Sequence, residues 1–93
     1  MAQTTILASG STRAVSTAVI VASGGSASIG IFPPAAALLP ANALAFVYQT
    51  TPGGNILYAT LNPGSPRVSV NSAGTFTVER QDSGATIGAF SEP

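Results

Sequence analysis

The sequence predicts an all-β protein, an antiparallel β-sandwich of about seven to eight short strands. Three observations predict it. Apolar and β-branched residues alternate with polar ones in short runs, the period-two pattern of strands with one buried face. Clusters of Gly, Pro, Ser and Asn separate these runs at intervals of roughly 8 to 12 residues, the spacing of sandwiches and barrels. Neither helical heptads nor alternating strand and helix patterns occur, so a parallel sheet with crossover helices is not expected.

Residues 4–8, TTILA, form a short β-branched run ended by Ser9-Gly10-Ser11 and read as a first strand, with residues 1–10 as an extended N-terminal arm or edge strand. Residues 14–22, AVSTAVIVA, place Val15, Val19 and Val21 on one face and Ala18, Ile20 and Ala22 on the other, which predicts burial on both. The turn Ser23-Gly24-Gly25-Ser26 leads into residues 27–32. A tight hairpin there would set Ile20 opposite Ile29 and Ala22 opposite Ala27. Pro33-Pro34 ends the run, because proline cannot donate to a ladder. The segment 33–43, PPAAALLPANA, has two readings. It is a connection between the two sheets that plugs an open end, with one helical turn over residues 35–39, or its Leu38 and Leu39 form an apolar loop that inserts into a neighbouring subunit.

Residues 44–49 and 56–61 read as a hairpin across Thr50 to Asn55. Pairing Tyr48 with Leu57, Phe46 with Ala59 and Leu44 with Leu61 builds one apolar face, and the reverse face carries Val47, Ile56 and Tyr58, too apolar for water. A short strand at residues 67–70 leads to the most regular stretch of the chain. There Gly74 to Arg80 and Ala85 to Ser91 read as a second hairpin, with Val78 against Ile87 and Phe76 against Ala89 on its inner face. Thr75, Thr77, Glu79, Thr86 and Phe90 fall on the outer face, where Phe90 is out of place among polar residues.

The 93 residues suit one small domain spanning 1–93, of a size at which folding buries only ~60% of the unfolded surface. Charged residues make up 6% of the chain, three Arg against three acids with no Lys, where an average globular chain has about 25%. That deficit disfavours nucleic-acid binding, which needs a cluster of Lys and Arg, and equally an anionic membrane surface. It also removes the repulsion that keeps monomers apart, so protein partners and homo-oligomerisation are expected. The window Ile31 to Val47 contains three prolines and is too short to span a bilayer, and residues 1–8 lack the basic and apolar regions of a signal peptide.

Candidate chemistry is sparse. Without His, Cys or Lys, acid–base and nucleophile choices reduce to three carboxylates and the hydroxyls, and none of them has a recognisable spacing. Glu79 and Asp82 are separated by Arg80 at a turn and read as a solvated loop. The Gly-Gly pairs lack the Lys of a phosphate loop, and no oxygen cluster is dense enough for calcium. The expectation is therefore no enzyme, no catalytic, metal or cofactor-binding residue, and no cofactor. Leu38, Leu39, Val47, Ile56, Tyr58 and Phe90 are the candidate interface residues, the aromatics because such side chains concentrate at interface centres.

Ser23-Gly24-Gly25-Ser26-Ala27-Ser28-Ile29 resembles the A–B turn of an immunoglobulin-like domain, and residues 68–78, VSVNSAGTFTV, resemble its E–F corner and strand F, with Phe76 at the corner-tyrosine position. The paired cysteines and core tryptophan of that fold are missing. The small size, the low-charge Ala/Ser/Thr/Gly composition and the strand-rich run from Tyr48 to Glu92 also resemble the small virion structural proteins of tailed bacteriophages, the head decoration or cement type. This resemblance implies a virion protein assembled in the host cytoplasm that binds capsid or tail subunits and stabilises the shell. The alternative is a receptor- or glycan-binding module of a phage fibre or tail, which a cluster of aromatics beside Asn, Asp or Gln in one loop set would favour.

Overall fold

A computed structural model describes residues 3–34 and 38–93 as two packed antiparallel sheets with nine strands among those residues and no helix. The strands are β1 (Thr4–Gly10), β2 (Ala14–Val15), β3 (Val19–Val21), β4 (Ala27–Phe32), β5 (Ala45–Thr51), β6 (Gly54–Leu61), β7 (Arg67–Val70), β8 (Gly74–Arg80) and β9 (Ile87–Glu92). The fold class is the expected β-sandwich. One sheet has the order β1-β9-β4-β7, and the other has β2-β8-β5-β6 with β3 also on β8. We call them sheets A and B. The pairing of β4 with β7 and of β5 with β8 matches the B–E and C–F neighbours of an immunoglobulin sandwich, whereas β9 lies between β1 and β4 and not beside β8.

The core lies between the sheets. Ile29, Ile31, Val70, Ile87 and Ala89 face it from sheet A, and Phe76, Val78, Val47, Ala45 and Leu61 from sheet B. In each strand these residues recur with period two, so local alternation alone selects the buried face. Val78 and Ile87 both lie in the core, but in opposite sheets. The expected hairpin between β8 and β9 does not form, because Gln81 to Thr86 carry the chain from sheet B to sheet A, and β9 pairs with β1 and β4. The expected hairpin across Ser23 to Ser26 fails in the same way: β3 pairs with β8 and β4 with β7 and β9. A short Gly-containing turn and two apolar faces satisfy a hairpin and a sheet crossing equally well.

The run 14–22 is also divided. Ser16 is buried, and its N–H donates to Val78 O at 2.8 Å while its Oγ accepts from Val78 N–H at 2.9 Å. One side chain thus keeps the ladder closed where the strand breaks into β2 and β3. Val19 and Val21 are buried, but Val15 and Ile20 are exposed, against the expectation of two buried faces.

The β5–β6 hairpin forms with Tyr48 opposite Leu57 as expected, and then a bulge inserts Tyr58, so that Val47 faces Ala59 and Ala45 faces Leu61. The buried face of β5 is the one opposite to that expected. Val47 is fully buried at 0% exposure, and Phe46 and Tyr48 lie half-buried on the outer face. The cause is non-local, since β8 pairs with β5 so as to set Val47 against Val78 and Phe46 against Glu79. Phe76 already fills the middle of a layer about 10 Å thick, where the smaller Ala45 and Val47 fit and two more aromatic rings do not. The segment 33–44 crosses from sheet A to sheet B. Ala43 is buried and Leu39 packs against the core, while the helical turn expected over residues 35–39 lies in part outside the described residues.

Candidate functional site

Among the described residues the exposed large apolar side chains, Leu38 apart, gather on sheet B. On its outer face Ile20 stands opposite Thr75 and Val15 opposite Glu79, followed across the sheet by Tyr48 beside Thr77 and by Phe46 beside Glu79. Leu57 faces Tyr48 from β6, and the Phe46 and Tyr48 rings meet edge to face with centroids 6.2 Å apart. Ile20 is 79% exposed, and Val15, Ile56 and Leu57 are each more than half exposed. The periodicity turns Val15, Ile20, Phe46, Tyr48 and Leu57 outward because Val19, Val21, Phe76, Val78, Ala45 and Val47 occupy the inward positions, whereas Ile56, opposite Gln49 and so in phase with Phe76, is exposed at the free edge of β6.

The only charges on this face form one pair. Arg13 donates from Nε and Nη2 to Glu79 Oε2 at 3.1 and 2.8 Å, and Gln81 Nε2 donates to Glu79 Oε1 at 3.0 Å. The Arg13 hydrogen bonds, and after them that from Gln81, hold the Glu79 carboxyl below its ordinary range. With its charge neutralised, Glu79 gives the face no net sign. What remains is a continuous array of aliphatic, aromatic and threonine side chains, suited to burial against another protein.

The six residues singled out in the sequence separate into two groups. Leu38 at 92% exposure, Ile56 and Tyr58 are exposed, and Leu39 is half-buried against the core. Tyr58 sits at the open side of the sandwich with its ring edge on Phe76 at 5.2 Å. Val47 and Phe90 are corrected: both are buried within the chain and offer no surface to a partner. Phe90 does point away from the core, as its phase predicts, but it lies across Gly30, where a Cβ would stand 2.6 Å from the ring. The Arg67 guanidinium covers the ring at 5.2 Å and pairs with Glu92. Phe32 lies on Gly88 in the same way, and each Phe–Gly couple is a ladder pair between β4 and β9. A signal for this was present in the sequence, where G-x-F occurs on both strands at residues 30–32 and 88–90.

Sequence reasoning missed Ile20, Val15 and Leu57 as surface residues, and it missed the placement of Arg80. That side chain is in phase with Phe76 and Val78 and is 5% exposed. Its Nε donates to Thr12 O at 2.6 Å, and its Nη1 donates to Ala8 O at 2.9 Å and Ile87 O at 3.0 Å. An inward cation with only carbonyl partners ties β8 to β1, to β9 and to the link before β2. Among the described residues no three His, Cys, Asp or Glu side chains come together, and no pocket opens. Comparison with protein-family models, with curated proteins and with solved structures returned no match for this chain.

Proposed function

We propose that this chain is a structural domain that coats a larger protein assembly, docking through the outer face of sheet B, and that the assembly is the head of a tailed phage, where the domain acts as a decoration or cement subunit. The observation that carries the proposal is the exposure of Ile20, Val15 and Leu57 around Phe46 and Tyr48 on one sheet face whose Arg13–Glu79 ion pair is self-neutralised. The low charge of the chain supports it, since such a face has little hydration to lose. The exposed aromatic and aliphatic groups lie on a sheet face and its edge, not with Asn or Gln in one loop set, and this favours assembly over the fibre-borne glycan-binding reading.

Burial of one such side chain contributes about 1.5–3 kcal/mol, which is roughly 10- to 100-fold in affinity before the cost of association. The test is co-sedimentation of the purified domain with heads of the phage that carries its gene. Ile20→Asp and Tyr48→Asp are expected to lower the bound copies per head while the circular dichroism spectrum stays unchanged. Binding that is absent in the native chain, or is indifferent to both substitutions, would overturn the proposal.

A further inference from the structure

The two sheets have four edges, and three of them are blunted. β7 is four residues long, follows Pro66 and carries Arg67. β1 is broken by register shifts between Thr5 and Leu7 and between Leu7 and Gly10, and Ser16 to Ala18 separate β2 from β3. Shortness, proline, charge and bulges are the devices by which sheet proteins keep edges from pairing. β6 carries few of them. It is eight residues long, contains no Pro and no charge, and exposes Ile56, Leu57 and Tyr58 along its edge. No charged residue occurs between Arg13 and Arg67, so nothing on this strand repels a second copy of itself. Its bulge at Tyr58 leaves Gly54 to Leu57 as a regular edge.

The backbone defines which groups are free. A two-residue loop, Pro52-Gly53, joins Thr51 to Gly54, which makes Thr51/Gly54 and Gln49/Ile56 the hydrogen-bonded pairs of the hairpin. Asn55 and Leu57, opposite Thr50 and Tyr48, therefore turn their N–H and C=O groups away from β5 toward the open edge.

We propose that β6 pairs antiparallel with β6 of a second copy of this chain about a two-fold axis at Ile56, joining the two B sheets into one. In this register Ile56 faces Ile56 of the second copy, and Asn55 and Leu57 of each chain exchange N–H···O bonds with Leu57 and Asn55 of the other. Tyr58 comes over Gly54 of the second copy, where a Cβ would meet nothing within 4 Å, as Phe90 and Phe32 already cover Gly30 and Gly88 within the chain. Two uncharged, equal edges match across this axis, and the two-fold uses up both, so the product is a closed dimer and not a fibre. The outer faces of the B sheets become one surface of doubled width.

The dimer does not depend on any particle, so it is tested on the purified chain alone. The sequence has no cysteine, and Ile56→Cys supplies one thiol per chain. A non-hydrogen-bonded antiparallel pair holds its Cα atoms about 4.5 Å apart, within disulfide reach. Under mild oxidation the variant is expected to form a covalent dimer about tenfold or more faster than Ile20→Cys, because the ladder raises the effective thiol concentration toward mM. Sedimentation of the native chain should show a concentration-dependent dimer, and Ile56→Lys should shift it to monomer with an unchanged circular dichroism spectrum. If Ile56→Lys fails to fold, the cross-linking rates decide. A native chain that stays monomeric with Ile56→Cys no faster than Ile20→Cys would overturn the proposal, as would a dimer that survives Ile56→Lys or that cross-links through Ile20→Cys instead.

Discussion

Replacing Arg80 by Met keeps an unbranched apolar stem in place and removes only the guanidinium, which isolates the contribution of the buried cation. Three hydrogen bonds are lost, to the carbonyls of Thr12, Ala8 and Ile87. A bond with a charged donor contributes roughly 1.5–3 kcal/mol, so the gross loss is about 4.5–9 kcal/mol. Against it stands the cost of taking the guanidinium out of water, several kcal/mol, which the variant no longer bears. The net expectation is a destabilisation of about 2–4 kcal/mol, in a domain whose total stability should be about 5–14 kcal/mol at ~0.05–0.15 kcal/mol per residue. At about 4–8 °C per kcal/mol for a chain of this size, Tm should fall by roughly 8–32 °C.

Arg80→Lys should not restore the loss, because a compact ammonium on a shorter reach cannot serve three carbonyls lying in different directions. Urea and thermal unfolding followed by circular dichroism give the magnitude, and amide exchange should show that the added opening is concentrated in β1, which Arg80 ties to sheet B. An Arg80→Met variant within about 0.5 kcal/mol of the native chain would refute the reasoning, since the three carbonyls would then be satisfied without the cation.

Gly30→Ala would place a methyl group 2.6 Å from the Phe90 ring and 2.9 Å from the Pro66 carbonyl oxygen, and Gly88→Ala would crowd the Phe32 ring and stand 2.8 Å from Leu7 O. Each should cost about 1–3 kcal/mol in urea unfolding, and Phe90→Leu should be less than additive with Gly30→Ala. Phe90→Asp should prevent folding, whereas Ile20→Asp should change stability by less than about 0.5 kcal/mol; equal effects in a thermal melt would contradict the burial assigned to Phe90. The Glu79 carboxyl titrates below its ordinary range when folded, so its contribution is present above the unfolded pKa, about 4.3, and is lost as pH falls through the lower folded value. Glu79→Gln should therefore flatten the acid limb of a Tm-versus-pH curve at low salt, and an unaltered limb would show that the Arg13 pair contributes nothing.

The legibility of the sequence followed the range of the forces involved. That the chain forms strands, and which residues of β8 and β9 alternate inward, was readable because period two is a property of the backbone itself: Phe76 and Val78, Ile87 and Ala89 all face the core, and Phe90 faces away from it. The β5–β6 hairpin and its Tyr48–Leu57 pair were readable for the same reason, since Pro-Gly-Gly is local turn chemistry. The candidate surface was legible only in outline. Low charge and surplus apolar residues announced a contact surface, but not that Ile20 and Val15 would form it and Val47 would not.

Tertiary structure alone decided which sheet each strand joins. A crossing turn and a hairpin turn draw on the same Ser, Gly and Asp residues, and only the packing of both sheets selects between them. It decided the buried face of β5, where pairing with β8 and the space left by Phe76 outweighed the greater hydrophobicity of Phe46 and Tyr48. It also decided that Arg80 turns inward to carbonyls contributed by distant segments and that Phe90 is covered by Arg67 over a glycine. Inside and outside along one strand are determined over a few residues, while partners and coverage depend on chain segments that meet only when the sandwich closes.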